Sequence, residues 1–87
     1  MNTLYRLHTE RFDNVTEITS RYFEGFTAIN VTGYWQGASE AAVIVEIYAA
    51  QSDASKVRAL ADEIRITNKQ QAVLLSILPA VVELLDA

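Results

Sequence analysis

The chain contains no cysteine among its 87 residues and only one histidine, His8. The lack of cysteine excludes disulfide frameworks, thiolate zinc sites, iron–sulfur clusters and thiol nucleophiles. One histidine cannot supply a histidine-rich metal site within a single chain, so we predict no cofactor and no metal site. Basic charge is also scarce: seven basic against eleven acidic side chains give a net charge of −4, which predicts no nucleic-acid partner.

Long hydrophobic runs and phosphate-binding motifs are lacking as well. No segment approaches the ~20 apolar residues of a membrane span, and the first residues carry neither the basic leader nor the apolar stretch of a signal peptide. These features favour a cytoplasmic protein without a membrane partner. The glycines at 25, 33 and 37 have the wrong spacing for a phosphate loop, and no zinc-protease, nucleophile-elbow or calcium-loop motif occurs.

Regular strand and helix patterns fill the first half of the chain. The period-two pattern of Thr3–Phe12 predicts a strand. Asn14 and Glu17 have the spacing of a capping box, which predicts a helix of about ten residues that Gly25 closes in a left-handed conformation. Strand-forming residues at 26–36 and 42–48, separated by small and polar residues at 36–39, predict a hairpin.

The second half of the chain predicts one more helix and one more strand. Ser52 and Asp53 predict a helix cap, and the apolar stripe that follows predicts a helix ending at 67–69. Residues 72–77 predict a strand, which Pro79 breaks. The segment Val81–Leu85 fits either a short helix starting at Pro79 or a fifth strand, and its paired β-branched residues favour the strand.

This order predicts a single α+β domain over residues 1–87 with the ferredoxin-like βαββαβ fold, in which two helices cover one face of a four-stranded antiparallel sheet. Val43, Val45 and Ile47 would lie beneath the helices. The opposite face would then present apolar and charged side chains together: Arg6, His8, Glu10, Ile44, Glu46, Tyr48, Ala72, Leu74 and Ser76. A domain of this size has a thin margin of stability. We therefore predict a homo-oligomer, a dimer or a trimer, formed through the open sheet face or an edge strand.

Five residues are candidates for a ligand site or an interface: His8, Tyr34, Trp35, Glu46 and Tyr48. His8 could act as a general base or a haem ligand, although a lone surface histidine usually does neither. Glu46 could pair with Arg6 or His8 across the sheet, or serve as an acid/base carboxylate. Tyr34 and Trp35 should point to opposite faces, so that one packs inside and the other contacts a ligand or a neighbouring subunit.

Several short motifs resemble a group of small bacterial domains of unknown function. That group carries a Phe-x-x-Gly-Leu-Thr segment, a Gly-x-Trp and a late Gln-x-x-Val-x-x followed by a terminal strand. The corresponding residues here are Phe23-Glu24-Gly25-Phe26-Thr27, Gly33-Tyr34-Trp35, the strand Val43–Ile47 and Asn68-Lys69-Gln70-Gln71-Ala72-Val73-Leu74.

The turn Tyr34-Trp35-Gln36-Gly37 is similar to the Tyr-Trp-x-Gly turn of the divalent-cation-tolerance proteins, although the lysine that usually follows the glycine is Ala38 here. Those proteins are ferredoxin-like trimers related in shape to nitrogen-regulatory signalling proteins. The two resemblances imply a ferredoxin-like fold, a terminal strand and oligomerisation, and they carry over no catalytic residue.

Three functions are compatible with this sequence. The favoured one is a non-enzymatic oligomeric domain of unassigned function that binds a small ligand or a partner at a subunit interface. The second is an enzyme of the dimeric α/β-barrel kind, either cofactor-independent or haem-type, in which two open sheets enclose a pocket lined by His8, Glu46 or Trp35. The third is an assembly module without a pocket.

Overall fold

Strand β1 (Asn2–Glu10) is a central strand of the sheet in the computed structural model, which describes residues 2–86. It pairs with β3 (Ala38–Ala49) on one side and with β4 (Leu74–Ala80) on the other, while β2 (Thr27–Trp35) forms the outer edge beside β3. All three pairings are antiparallel, and the strand order is β2-β3-β1-β4. The predicted ferredoxin-like fold is confirmed.

Two helices cover one face of this sheet. The first, α1, spans Val15–Ser20, and the second, α2, spans Ala54–Thr67 after a 3₁₀ turn at Gln51–Asp53. Alternate positions of β1 and β3 meet the apolar stripes of both helices, as the period-two and helical spacings predict. The buried core consists of Tyr5, Leu7, Val15, Ile18, Val43, Val45, Ile47, Val57, Leu60 and Ile64.

The starts and ends of the helices differ from the predictions. Asn14 is the N-cap of α1 but makes no capping bond with its side chain; its Oδ1 instead accepts from Asn68 Nδ2 at the end of α2, at 3.0 Å. The capping-box prediction is therefore wrong, because a tertiary contact takes the side chain. The first helix has six residues, and Gly25 lies beyond its end without a left-handed backbone. Asp53 likewise makes no capping bond to α2, because its Oδ2 accepts from the Ala50 N–H at 3.2 Å.

A two-residue turn joins β2 to β3. Gln36 and Gly37 both have positive φ, 50° and 81°, which is the requirement of the type I′ turn that suits the twist of a hairpin. The third strand therefore begins at Ala38 rather than at the predicted 42. Because β1 ends opposite Ala42, residues 32–41 extend past it as a two-stranded projection, which we call the arm.

The fourth strand continues through Pro79 to Ala80, and Pro79 lies opposite Thr3. The prediction that Pro79 breaks the strand is wrong, because an edge strand tolerates a residue without an N–H. Residues 81–86, which we call the tail, are neither helix nor strand, so both predictions for Val81–Leu85 are wrong for the isolated chain. Neither helix within residues 2–86 has the length and apolar character to cross a membrane.

Candidate ligand groove

A groove of about 850 Å³ lies where the arm meets the end of β1 and the loop that leads from α2 into β4. Its walls are residues 8–10, residues 31–35 with 40 and 42–44, and residues 69–74. Part of its lining, His8, Ile44 and Leu74, belongs to the sheet face that the helices leave uncovered. Its volume is within the range of small-molecule sites in proteins.

His8 lies on the floor of this groove. It is half-buried, and the sheet register places it between Ile44 on β3 and Leu74 on β4. Glu10, Glu40 and Lys69 line the same groove. Side chains of both charges therefore surround a partly apolar floor, an arrangement that can orient a polar ligand while contacting its apolar part.

Tyr34 and Trp35 both line the groove, and both are largely exposed, at 76% and 70%. The prediction that one of them packs inside is wrong. They do occupy opposite faces, because Tyr34 is opposite Ser39 and Trp35 is opposite Ala38 in the register. Neither enters the core because the buried core within residues 2–86 contains no residue of β2. A large aromatic pair thus remains available at the arm.

Glu46 and Tyr48 lie outside the groove. Glu46 is directly opposite Arg6 in the register, and its Oε2 accepts from Arg6 Nε at 2.6 Å, which confirms the ion pair predicted for this carboxylate. Tyr48 is 53% exposed on the open face, opposite Leu4. The structure therefore brings together His8, Tyr34 and Trp35, and separates them from the other two candidates.

Gln70 holds one wall of the groove in place through hydrogen bonds to β1, a role that no motif in the sequence indicates. Its Oε1 accepts from the Thr9 hydroxyl at 3.0 Å and from the Glu10 N–H at 3.2 Å, while its Nε2 donates to the Thr9 oxygen at 2.7 Å. Lys69, just before it, has a left-handed backbone with φ of 55°, as is common after the end of a helix. The sequence predicts only that the helix ends at 67–69, and the tertiary contact to β1 reveals the role of Gln70.

The titratable groups with shifted pKa values are Glu63 on α2 and Tyr22 just after the end of α1, and neither lines the groove. The hydrogen bond that Tyr22 donates to Glu63, at 2.6 Å, lowers the pKa of the Glu63 carboxyl, and the bond from Arg21 lowers it further. The same contact with Glu63 raises the pKa of the Tyr22 hydroxyl. Because this cluster joins α1 to α2, it stabilises the helical layer. Within residues 2–86 no three acidic or histidine side chains converge to hold a metal ion.

No family model and no curated protein sequence matches the chain. Solved structures do share its fold. A DUF3240 family protein from Shewanella baltica OS155 has a TM-score of 0.73 at 16% identity, over 99% of this chain and 97% of that one. A phage SAM lyase in complex with S-methyl-5′-thioadenosine has a TM-score of 0.72 at 20% identity, over 87% of this chain and 79% of that one.

A nitrogen regulatory PII-like protein from Thiomonas intermedia K12, bound to ADP, AMP and bicarbonate, has a TM-score of 0.61 at 11% identity, over 87% of this chain and 86% of that one. The divalent cation tolerance protein CutA from Archaeoglobus fulgidus has a TM-score of 0.59 at 15% identity, over 97% of this chain and 88% of that one. The resemblance to a family of unknown function and to the cation-tolerance and nitrogen-regulatory proteins is thereby confirmed at the level of the fold.

Proposed function

We propose that this chain is a homo-oligomeric binding domain whose groove holds a small adenosine-containing ligand at an interface between two copies. The observation that carries the proposal is the groove itself: His8 on its floor and the exposed Trp35 on its arm face one space that the single chain leaves open. Aromatic side chains at such exposure are typical of contacts with a base or with another subunit.

The open side of the groove supports the oligomeric part of the proposal. Binding sites bury most of the surface of their ligand, which an open groove on a sheet face cannot do alone. Leu74 is 62% exposed next to the groove, and Ile29 is 41% exposed on the same sheet face. A second copy that covers this face would bury these side chains, each worth about 1.5–3 kcal/mol on full burial, and would close the groove.

The chemistry of the groove supports an adenosine-containing ligand. An adenine ring can stack on Trp35 or Tyr34, and the groove offers the cationic Lys69 to a phosphate or carboxylate. Two of the structures with this fold are named as complexes with such molecules, one with S-methyl-5′-thioadenosine and one with ADP and AMP.

Titration calorimetry with AMP, ADP and S-methyl-5′-thioadenosine tests the ligand, with GMP as the control for base recognition. Trp35 is the sole tryptophan, so its fluorescence reports binding directly. We expect at least one adenosine compound to bind and to alter the tryptophan emission, and Arg58→Ala, at an exposed position of α2 outside the groove, to bind equally well. Failure of all of them to bind at millimolar concentration would overturn the ligand class.

Sedimentation equilibrium tests the assembly. We expect a species larger than the 9.7 kDa chain at tens of micromolar. A monomer at that concentration would contradict the proposal, and an oligomer that binds no small molecule would favour the assembly module instead.

An enzyme is the second candidate, because His8 shares the groove with the carboxylates of Glu10 and Glu40, and one structure of this fold is named a lyase. Incubation with S-adenosylmethionine followed by chromatography would reveal cleavage, and we expect none.

As part of the proposal, the chain works as one domain in the cytoplasm without nucleic acid. Because the CutA protein with this fold is named periplasmic, cell fractionation is the measurement that tests the compartment.

A further inference from the structure

The outer edge of β2 lacks the features that normally protect an edge strand. Its nine residues, Thr27–Trp35, include no charged side chain and no proline. Every second residue of an edge strand directs its N–H and C=O away from the sheet, where another strand can pair with them. Residues of β2 are exposed on both faces, apart from Val31 and Gly33, which are half-buried. An unprotected edge of this kind is a ready site for pairing with a strand from another chain.

The tail provides a segment that also lacks a partner. Val81, Leu84 and Leu85 are 81%, 91% and 84% exposed, and residues 81–86 form no secondary structure. Four of the six tail residues are valine or leucine, and valine is among the residues that favour strands. The residue types of a strand are therefore present in a segment that pairs with no strand within residues 2–86.

We propose that the tail of one copy adds as a fifth strand to the outer edge of β2 in a second copy. Six residues in a strand span about 20 Å, which fits within the roughly 30 Å of a nine-residue strand. The tail has apolar side chains on both of its faces, Val81 and Leu85 on one and Val82 and Leu84 on the other. It therefore matches an edge that is exposed on both sides.

The tail cannot reach β2 of its own chain. It follows β4, and β1 and β3 lie between β4 and β2. A strand added to the outer edge of β2 lies four strand spacings from β4, about 19 Å, so residues 81–86 would have almost no length left to run along that edge after crossing the sheet. The pairing is therefore between copies.

The edge of β4 in a second copy is a poorer acceptor. It is two residues shorter than β2 and contains Pro79, which lacks an N–H donor. Charge also favours β2. The only charged tail residues are the acidic Glu83 and Asp86. The exposed Arg11 guanidinium lies over the β2–β3 pair, where Nη2 donates to the Val31 carbonyl at 2.9 Å and Nε to the Ala42 carbonyl at 3.3 Å. Arg11 takes part in no ion pair among residues 2–86.

This inference rests on the oligomerisation in the proposed function and states how the copies join. Because the two paired surfaces are unlike, the assembly closes either as a reciprocal dimer or as a ring. The arm carries the second half of β2, so the added strand runs toward the groove and contributes to its outer wall.

Intermolecular paramagnetic relaxation tests the pairing directly, since the chain has no cysteine of its own. The Glu83→Cys variant, with a nitroxide label on its cysteine, is mixed with the unmodified protein labelled with ¹⁵N, and the mixture is unfolded and refolded. We expect selective broadening of the β2 amides, centred between Ala28 and Thr32. A label at Ser55→Cys, exposed on α2, serves as the control and should leave β2 unaffected. Broadening of β4 without β2 would overturn the pairing.

A paired set of tail variants tests the energetics. Leu84→Asp combined with Leu85→Asp should raise the dissociation constant of the assembly at least tenfold by sedimentation, while Ser55→Asp, which adds a negative charge at an exposed position of α2, should leave it within about threefold. Far-ultraviolet circular dichroism verifies that both variants fold. An oligomer unaffected by the double substitution would overturn this inference and leave the proposed function standing, whereas an unmodified chain that is monomeric would overturn both.

Discussion

Arg6 and Glu46 face each other directly across β1 and β3, and Arg6 Nε donates to Glu46 Oε2 at 2.6 Å. The pair lies on the open face of the sheet, where the Glu46 side chain is only 19% exposed and that of Arg6 is 42% exposed. Because the pair is partly buried, we expect it to stabilise the fold more than a fully exposed ion pair does.

Replacement of Glu46 by alanine should lower the free energy of unfolding by about 1–2 kcal/mol, because a charged hydrogen bond is lost and the Arg6 guanidinium keeps its position in a half-buried environment. Urea denaturation measures the loss. The control is Asp62→Ala, which removes a pair with Arg65 at 3.5 Å on the surface of α2 and should change stability by less than about 0.5 kcal/mol. Equal losses for both variants would contradict the argument.

The contact between Tyr22 and Glu63 should make stability depend on pH. The pKa of Glu63 is lowered in the folded chain from its ordinary 4.5, chiefly by the Tyr22 hydrogen bond. Its stabilising contribution is therefore fully present above about pH 4.5 and is lost as the pH falls through the folded value. The pKa of Tyr22 is raised from 10.0, so its contribution is present below pH 10 and is lost as the pH rises through the folded value.

Tyr22→Phe should therefore be less stable than the unmodified chain between about pH 5 and pH 9, and the difference should shrink toward both extremes. Thermal melts from about pH 3 to about pH 11, a range that extends past the ordinary pKa values of both groups, measure the difference. Tyr34→Phe is the control, because Tyr34 is 76% exposed and its hydroxyl makes no hydrogen bond to another side chain or backbone group within residues 2–86. A constant difference across the range would contradict the linkage.

Gln70→Ala should loosen the wall of the groove. The substitution removes three hydrogen bonds to Thr9 and Glu10. A typical hydrogen bond contributes about 1 kcal/mol, and bonds that share one side chain contribute less each, so we expect the free energy of unfolding to fall by about 1–2 kcal/mol. The Glu10 amide should exchange its hydrogen faster, as nuclear magnetic resonance can measure. Gln71→Ala, at an exposed neighbouring position, should leave exchange and stability unchanged.

Trp35→Ala should weaken the assembly without unfolding the chain. Because Trp35 is 70% exposed in the single chain, its loss should change monomer stability by less than about 0.5 kcal/mol. If it anchors the interface, the free energy of association should fall by about 2 kcal/mol or more. Sedimentation at several concentrations separates the two quantities. A large loss of monomer stability would mean that Trp35 is part of the core, contrary to its exposure.

Gly37→Ala should destabilise the hairpin. Gly37 has a φ of 81°, and glycine adopts positive φ readily because it lacks a Cβ, whereas alanine is strained there. We expect a loss of about 1 kcal/mol in the free energy of unfolding. Gly25→Ala is the matched control, since Gly25 has no positive φ and an added Cβ would meet no atom within 4 Å. A stable Gly37 variant would show that the turn changes its type.

The sequence by itself determined the order of the elements and the face that each strand buries. Alternation in β1 and β3 and the helical stripe Val57, Leu60 and Ile64 are local patterns, and each side chain's direction follows from the repeat of its own element. The ion pair of Glu46 was predictable for the same reason, because strand order and alternation together limit its partners to a few residues.

Only the tertiary structure decided the features that depend on distant contacts. Asn14 binds Asn68 instead of capping its own helix, and Gln70 holds the end of β1 from a position 60 residues away from Glu10. Trp35 stays exposed because the core beneath the helices contains no residue of β2. The tail carries the residue types of a strand, yet a strand forms only where a neighbouring strand supplies hydrogen-bond partners. Within the single chain it has none, because its position beyond β4 places it across the whole sheet from the free edge of β2.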